Sequence, residues 1–228
     1  MPGERDAAYL LSLPRDSWVE IPGRGEGKIN WAYSFGGPSL TVETLEDLLQ
    51  VPMDHTVIID FDGFMNVIDT LGGVTVVNKH ASGSNGFTFP EGEITLSGDE
   101  ALTFVRERYN LPSGDFDRAE RQRDVIQAIV KKLASAGVLA NPVKFNEVVS
   151  TLAPQFTVDE GFTNDVIIDL ARESTAAVTN VHSLGLPNLG PGWAGDQSII
   201  QVDWDAIDKL RDALRNDDLE SFFYAYGG

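Results

Sequence analysis

The feature that most constrains this chain is the stretch Leu96–Leu133, where arginine is concentrated although the chain as a whole is strongly acidic. It holds five of the eleven arginines of a chain whose formal net charge is -18: Arg106, Arg108, Arg118, Arg121 and Arg123. Ser97 is typical of a helix start, and Asn110–Gly114 is a turn-forming segment. A second helix begins at Asp115 or Asp117 and carries apolar residues at helical spacing. The stretch therefore predicts two helices with arginines around the loop that joins them.

The start of the second helix is an unfavourable place for arginine, because a helix N-terminus already carries partial positive charge and unpaired N–H donors. Arg118, Arg121 and Gln122 follow an i, i+3, i+4 pattern, which predicts that they share one face of the first turns. Such a face can bind phosphate or pyrophosphate, since each guanidinium can hold two oxygens. The alternative is a solvated ion network with the nearby carboxylates Glu107, Asp115, Asp117 and Glu120. Charge counting alone leaves both interpretations open.

The acidic composition limits what the exterior can bind. A pI near 4.3 argues against a general nucleic-acid surface, because most of this exterior would repel a duplex backbone. The absence of cysteine fits a reducing cytosol and an exported bacterial domain equally well. No apolar run is long enough to span a membrane and Met1–Ser12 lacks a signal-peptide pattern, so we expect the chain as given to be soluble. A membrane anchor in a longer precursor stays an open alternative.

The order of the predicted elements indicates the α/β class. Val57–Phe61 reads as a strand, Gly63–Leu71 as a helix and Val74–Val77 as a second strand. This order is typical of a crossover in a mainly parallel or mixed sheet. Asp60 and Asp62 flank Phe61 at the end of the first strand, where carboxylates can act as ligands or bases, but N-capping of the helix by Asp62 is the favoured interpretation.

The remaining segments indicate one domain, 1–228, without a linker. Lys79–Glu93 is predicted to be a loop or a weak hairpin. Leu186–Gly195 is predicted to be a surface loop, because it contains two prolines and three glycines. The last residues are expected to be mobile.

Three common kinds of site find no support in the motifs. The three histidines, His55, His80 and His182, lack the spacing of zinc ligands, so a zinc site is not expected. The chain contains neither the GxSxG elbow of serine hydrolases nor the GxxxxGK[ST] loop that binds nucleotide phosphates.

Five short motifs follow one another along residues 8–155: SLPRDSWVEIPG, KINWAYSFGGP, FDGFMNVIDTLGGV, LSGDEALTFVRERY and GDFDRAERQ. In order and spacing they resemble the LytR-CpsA-Psr family of bacterial cell-envelope phosphotransferases, in its actinobacterial type. The cysteine pair of many actinobacterial relatives is missing here. The resemblance implies a three-layer α/β/α fold with a mixed central sheet.

The resemblance also implies which residues form the site. Positions that bind the carrier pyrophosphate in the family match Arg15, Lys28, Arg106, Arg108, Arg118 and Gln122. The catalytic positions match Arg118, Arg121 and Asp115. A hydrophobic pocket holds the prenyl chain in such proteins, and the residues expected to line it are Phe61, Phe64 and Ile126.

Members of the family transfer a phosphate-linked glycan from a polyprenyl-pyrophosphate carrier to peptidoglycan, at the extracellular face of the plasma membrane. The glycan is of the wall teichoic acid, arabinogalactan or capsule type. Fixed guanidiniums suit this reaction, because they stabilise the negative charge that develops on the phosphate oxygens. Two functions from other classes stay open: a polyprenyl-phosphate-binding protein without turnover, and a pyrophosphatase that uses water as the acceptor.

The N-terminus departs from the family pattern. Mg2+ is expected in the family, but Met1–Asp6 lacks the RSDT-like segment whose aspartate helps to bind it, so the metal ligands of this chain are unknown. The sheet is therefore expected to lack its first one or two strands. An exposed sheet edge would then allow a homodimer.

Overall fold

The structure, a computed structural model, describes residues 7–135, 142–173, 177 and 180–226. Its helices are α1 (Ile29–Leu49), α2 (Phe61–Thr70), α3 (Gly98–Arg106), α4 (Asp115–Ser135), α5 (Pro142–Leu152), α6 (Asn164–Glu173), α7 (Trp204–Asn216) and α8 (Leu219–Tyr226). Its strands are β1 (Ala8–Ser12), β2 (Trp18–Ile21), β3 (Gly25–Lys28), β4 (Val57–Ile59), β5 (Val74–Asn78), β6 (Ser82–Ser84), β7 (Phe87–Phe89), β8 (Gly92–Leu96), β9 (Phe156–Val158), β10 (Val181–Gly185), β11 (Asn188–Ala194) and β12 (Gln197–Val202). The α/β class predicted from the sequence is confirmed.

The first of two compact units consists of Tyr9–Thr56 and His182–Gly228. Its strands pair two by two, β1 with β10, β2 with β3 and β11 with β12. Gly23 and Gly25 have positive φ angles and let the chain reverse between β2 and β3. The buried core of this unit joins β2, α1 and α7, and includes Val19, Ile21, Leu48, Ile207 and Leu210.

Helix α1 contains a kink. Gly37 leaves the helical region, with φ 63° and ψ -153°, and Pro38 follows it. Proline cannot donate a backbone hydrogen bond and clashes with the preceding turn, so the helix bends there. The half before the kink begins directly after Lys28, which is its N-cap residue.

The second unit is Val57–Val181. Here β4 pairs with β9, β5 with β8 and β6 with β7, each pair antiparallel. Helices α2, α3 and α4 pack together with β5. The buried core includes Ile68, Val74, Leu96, Phe104 and Val125. No helix among the described residues is long and apolar enough to cross a membrane.

Helices α2 and α3 are held closely together. Asp60 caps α2 by accepting a hydrogen bond from the backbone N–H of Gly63 at 2.7 Å, so the prediction that Asp62 is the cap was wrong. The backbone N–H of Gly98, at the start of α3, donates to Asp69 Oδ1 at 2.8 Å. A Cβ atom on Gly98 would lie 2.6 Å from the carbonyl oxygen of Met65, so only glycine fits at this contact.

Several predicted elements differ from the structure. Strands β4 and β5 pair with β9 and β8 rather than with each other, because their partners return from later parts of the chain. The segment predicted as a surface loop, Leu186–Gly195, mostly forms β11, and its glycines and prolines are accommodated in a hairpin with β12. The predicted mobile end forms α8, which buries Phe222 and Phe223. The strand predicted from Val178 begins outside the described residues.

Candidate functional site

Asp115 lies between two of the arginines at the start of α4. Its Oδ2 accepts a hydrogen bond from Arg118 at 2.9 Å, and its Oδ1 lies 3.4 Å from a guanidinium nitrogen of Arg108. Asp117 fixes the beginning of the helix, because its carboxylate accepts from the backbone N–H of Ser113 at 2.7 Å. A guanidinium carries five N–H donors, so the contact with Asp115 leaves donors of Arg118 for an oxyanion.

Arg106 ends α3 and lies against an aromatic ring. Its guanidinium carbon is 4.8 Å from the centre of the Phe61 ring, at the start of α2. Gln122 lies near the same end of α3, because its side-chain amide donates to the carbonyl oxygen of Val105 at 3.2 Å. Arg106 and Gln122 are therefore both fixed to the α3 terminus.

The loop between α3 and α4 is ordered by Glu107, which is buried although it is an acid. Burial would raise the pKa of Glu107, but hydrogen bonds from Asn110, Ser84 and Tyr109 outweigh it, so that the pKa is lowered. Asn110 also donates to the carbonyl oxygen of Gly83, in the middle of β6, at 3.1 Å. This network holds Arg108, the residue after Glu107, near Asp115.

Arg121 has partners that differ from those of the other arginines of α4. It is buried, and its guanidinium donates to Asn78 Oδ1, the His80 carbonyl oxygen and Ser82 Oγ at 2.8 to 3.0 Å. The same guanidinium lies over the Phe104 ring, 4.1 Å from its centre. Burial lowers the pKa of Arg121. The catalytic role of Arg121 stays a prediction, and its contacts favour a structural role.

Asp124 lies about one turn further along α4, and burial shifts its pKa in the direction opposite to that of Arg121. Burial raises its pKa, and the nearby charge of Glu120 raises it further. Glu120 itself pairs with Lys79 at 2.6 Å. The charged form of Asp124 is therefore less favourable in the folded chain than in the unfolded chain.

Replacing Asp124 by asparagine is expected to stabilise the fold at neutral pH. Because the folded-state pKa lies above the ordinary value of 3.8, the contribution of Asp124 to stability is full below that value and is lost as pH rises through the folded-state pKa. The gain in unfolding free energy, measured by urea denaturation, should therefore be larger near pH 7 than near pH 4. Asp196→Asn, at an exposed turn, is the control. An equal gain at both pH values would contradict the raised pKa.

Two predicted pyrophosphate-binding residues lie in the first unit. Arg15 is exposed, and Lys28 is largely buried at the end of β3. Asp16 lies 3.3 Å from the Lys28 ammonium and 3.8 Å from the Arg15 guanidinium. The backbone N–H of Asn30 donates to the carbonyl oxygen of Arg15, which places the two cationic residues on adjacent parts of this unit.

An apolar cavity of about 460 Å³ lies in the second unit. Side chains from β4, α2, α4, α5, β9 and α6 line it, among them Val57, Val67, Ile129, Leu152, Phe156 and Ile167. Asn164 is the polar residue among the described lining residues. The volume and the apolar lining are typical of a site for a small hydrophobic ligand.

The LytR_cpsA_psr family matches residues 1–216 of this chain. The chain belongs to this family. A polyisoprenyl-teichoic acid–peptidoglycan teichoic acid transferase, TagU, from Halalkalibacterium halodurans is 38% identical over an alignment of 193 residues, which covers 82% of this chain and 60% of that protein. The chain thus spans about 60% of the length of this LytR_cpsA_psr relative. The actinobacterial type stays a prediction.

Solved structures show the same LytR_cpsA_psr fold. A transcriptional regulator from Enterococcus faecalis superposes with a TM-score of 0.80 and 26% identity, covering 97% of this chain and 85% of that chain. TagT bound to LI-WTA superposes with a TM-score of 0.75 and 27% identity, covering 94% of this chain and 81% of that chain.

The structure groups the predicted LytR_cpsA_psr residues into two sets. Arg106, Arg108, Asp115, Arg118 and Gln122 lie around the α3–α4 connection of the second unit, whereas Arg15 and Lys28 lie in the first. The three residues predicted to line a lipid pocket lie outside the described lining of the cavity. Phe61 and Ile126 are exposed, and Phe64 packs against the core of the second unit. Their lipid contact stays a prediction.

Two partners of the arginines were missed by the sequence reasoning. The sequence predicts Phe61 as the end of a strand, with a place in the core or in the lipid pocket, and it predicts no role for Asn78. For Phe61, the signal is Asp60, which can cap a helix as well as Asp62 can. With Asp60 as the cap, Phe61 is the first residue of α2 rather than the last residue of the strand. For Asn78, a buried asparagine that ends an apolar strand, no local signal names the partner.

The described residues do not fit a magnesium site held by the protein alone. None of them form a group of three or more histidine, cysteine or acidic side chains. Asp16 Oδ1 is buried, but the Lys28 ammonium already neutralises it at 3.3 Å. A divalent cation there would meet the positive charge of Lys28, which disfavours its binding.

Proposed function

We propose that this chain transfers a phosphate-linked glycan, of the teichoic acid type, from a polyprenyl-pyrophosphate carrier to peptidoglycan. The observation that carries the proposal is the arrangement of Arg106, Arg108 and Arg118 around the α3–α4 connection, in the same compact unit as a large apolar cavity. A ligand with a phosphate end and a hydrocarbon end matches both features. The teichoic acid transferase name of a relative supports the choice of glycan.

In the proposed reaction, a peptidoglycan hydroxyl attacks the phosphorus that bears the glycan. A new oxygen–phosphorus bond forms, the bond to the bridging oxygen breaks, and polyprenyl phosphate leaves with the bridging oxygen. The hydroxyl proton passes to a base, for which Asp115 is the candidate, because it is a carboxylate at the arginine cluster. The guanidiniums of Arg108 and Arg118 stabilise the charge on the phosphate oxygens and on the leaving group.

Arginine suits this role better than lysine, because its planar fork fixes the orientation of a phosphate as well as neutralising its charge. The salt bridges to Asp115 hold the two guanidiniums in place before the carrier binds. The oxygens of the pyrophosphate compete with Asp115 for these donors. This competition frees the Asp115 carboxylate to accept the proton of the attacking peptidoglycan hydroxyl.

The proposal places the reaction at the extracellular face of the plasma membrane, where peptidoglycan and the lipid carrier are both present. Mg2+, expected for the family, would then have to be bound largely by the pyrophosphate of the carrier. A homodimer through an exposed sheet edge stays a prediction, and light scattering at high protein concentration tests it.

The decisive experiment supplies the chain with a polyprenyl-pyrophosphate-linked teichoic acid and purified peptidoglycan, with and without Mg2+. The expected result is glycan covalently attached to peptidoglycan through phosphate, together with released polyprenyl phosphate. Release that is independent of peptidoglycan would instead make the protein a pyrophosphatase. Bound carrier without any release would make it a lipid-binding protein. Carriers with arabinogalactan or capsule glycans test the choice of glycan.

A further inference from the structure

Phe61, the first residue of α2, is a large apolar residue that is exposed. Its side chain is 58% accessible, and it lies outside the described lining of the apolar cavity. The guanidinium carbon of Arg106 lies over this ring, 4.8 Å from its centre. An attractive cation–π interaction occurs at this distance.

Both partners are fixed by the elements that carry them. Asp60 caps the first turn of α2, where Phe61 lies. Helix α3, which ends at Arg106, begins with a capping box between Ser97 and Glu100. The direct contact of the two helices at Gly98 sets their separation. The ring and the guanidinium are therefore held on a rigid frame.

We propose that Phe61 is a positioning residue that holds the Arg106 guanidinium flat over its ring, so that the N–H donors at the guanidinium edge face a phosphate. The inference rests on the proposed function and assigns Arg106 to a site for the pyrophosphate group itself. Stacking uses the face of the guanidinium and leaves its edge free, which is the part that binds phosphate oxygens in a bidentate way. An exposed cation–π contact of this kind changes affinity about two- to fivefold.

The competing role for Phe61 is contact with the prenyl chain, and two probes separate the roles. Inorganic pyrophosphate has the charged group alone, whereas farnesyl pyrophosphate has the charged group and a short prenyl chain. If Phe61 acts through Arg106, removing its ring weakens the binding of both probes by the same factor. If Phe61 contacts lipid, removing its ring weakens the binding of farnesyl pyrophosphate only.

The test measures dissociation constants of both probes by calorimetry for the whole chain and its variants. Phe61→Leu, which stays apolar but loses the ring, is expected to weaken the binding of both probes about two- to fivefold. Phe61→Trp keeps an aromatic ring and is expected to bind both probes with wild-type affinity. In an Arg106→Gln background, Phe61→Leu is expected to have no further effect. Tyr224→Leu, at another exposed aromatic residue, is the control and should change neither affinity. Thermal melting should be the same for all single variants at Phe61.

The inference is overturned if Phe61→Leu binds inorganic pyrophosphate with wild-type affinity, or if it loses affinity for farnesyl pyrophosphate alone. Either result leaves the proposed function intact. Failure of the proposed function is measured separately, as the absence of glycan attached to peptidoglycan by the wild-type chain, and it does not require any change in these dissociation constants. An equal loss in the Arg106→Gln background would also overturn the inference, since the ring would then act without the arginine.

Discussion

Replacing Arg118 by alanine is expected to lower kcat/KM for polyprenyl phosphate release about 100- to 1,000-fold. Arg118 lies in the first turn of α4, pairs with Asp115 at 2.9 Å and is only 18% exposed, so its charge acts where water is partly excluded. In other enzymes, removing one fixed hydrogen-bond donor to a developing oxyanion lowers kcat by about 100- to 1,000-fold. The measurement is steady-state release from a carrier with a teichoic acid glycan, with peptidoglycan present.

Two comparisons show whether the loss arises from the fork of the guanidinium. Arg118→Lys keeps the charge but not the planar pair of donors, and is expected to recover only part of the activity. Arg215→Ala removes an arginine that is 51% exposed on α7 and should retain wild-type turnover. Activity of Arg118→Ala within about threefold of wild type would show that Arg118 does not stabilise the transition state.

Replacing Arg121 by methionine is expected to lower the unfolding free energy by about 3 kcal/mol. The change keeps the apolar stem but leaves Asn78 Oδ1, the His80 carbonyl oxygen and Ser82 Oγ without the donor that they share. A buried group left without its partner loses its solvation without compensation, which costs more than the bond itself contributes. Urea denaturation followed by circular dichroism measures the loss.

The matched control is Arg215→Met, which removes an exposed arginine that lies 3.4 Å from Asp212. It should change stability by less than about 0.5 kcal/mol, since exposed ion pairs contribute little. If Arg121→Met keeps wild-type stability but loses turnover, Arg121 acts on the substrate, as the family resemblance predicts, and the structural role is wrong.

The helices that carry the arginines could be predicted because their signals are local. Ser97 begins α3 with a capping box, and Pro112 with Gly114 breaks the chain before α4 begins at Asp115. Such features act within one turn, so the sequence shows them directly. The cap of α2 was predicted two residues late, because Asp60 and Asp62 are chemically equivalent caps and only the tertiary fold selects one.

The partners of the arginines could not be predicted in the same way. Helical spacing states which residues share a face, but not which part of the chain covers that face. Arg121 has the same spacing relation to Arg118 as a binding-site pair would have, yet it contacts Asn78, 43 positions earlier in the chain. Strand β11 was missed for a related reason. Its proline and two glycines disfavour a strand locally, but pairing with β12 overrides that preference.

The backbone contact at Gly98 has a consequence for the entropy of binding. A free arginine side chain loses up to about 2 kcal/mol of rotamer freedom when a ligand orders it. Gly98 allows α2 and α3 to meet without an intervening side chain, and in this arrangement the Phe61 ring contacts the Arg106 guanidinium before any ligand is present. Much of that loss therefore precedes the arrival of a phosphate, and binding at Arg106 is expected to be opposed by less entropy than binding at an arginine on a mobile loop.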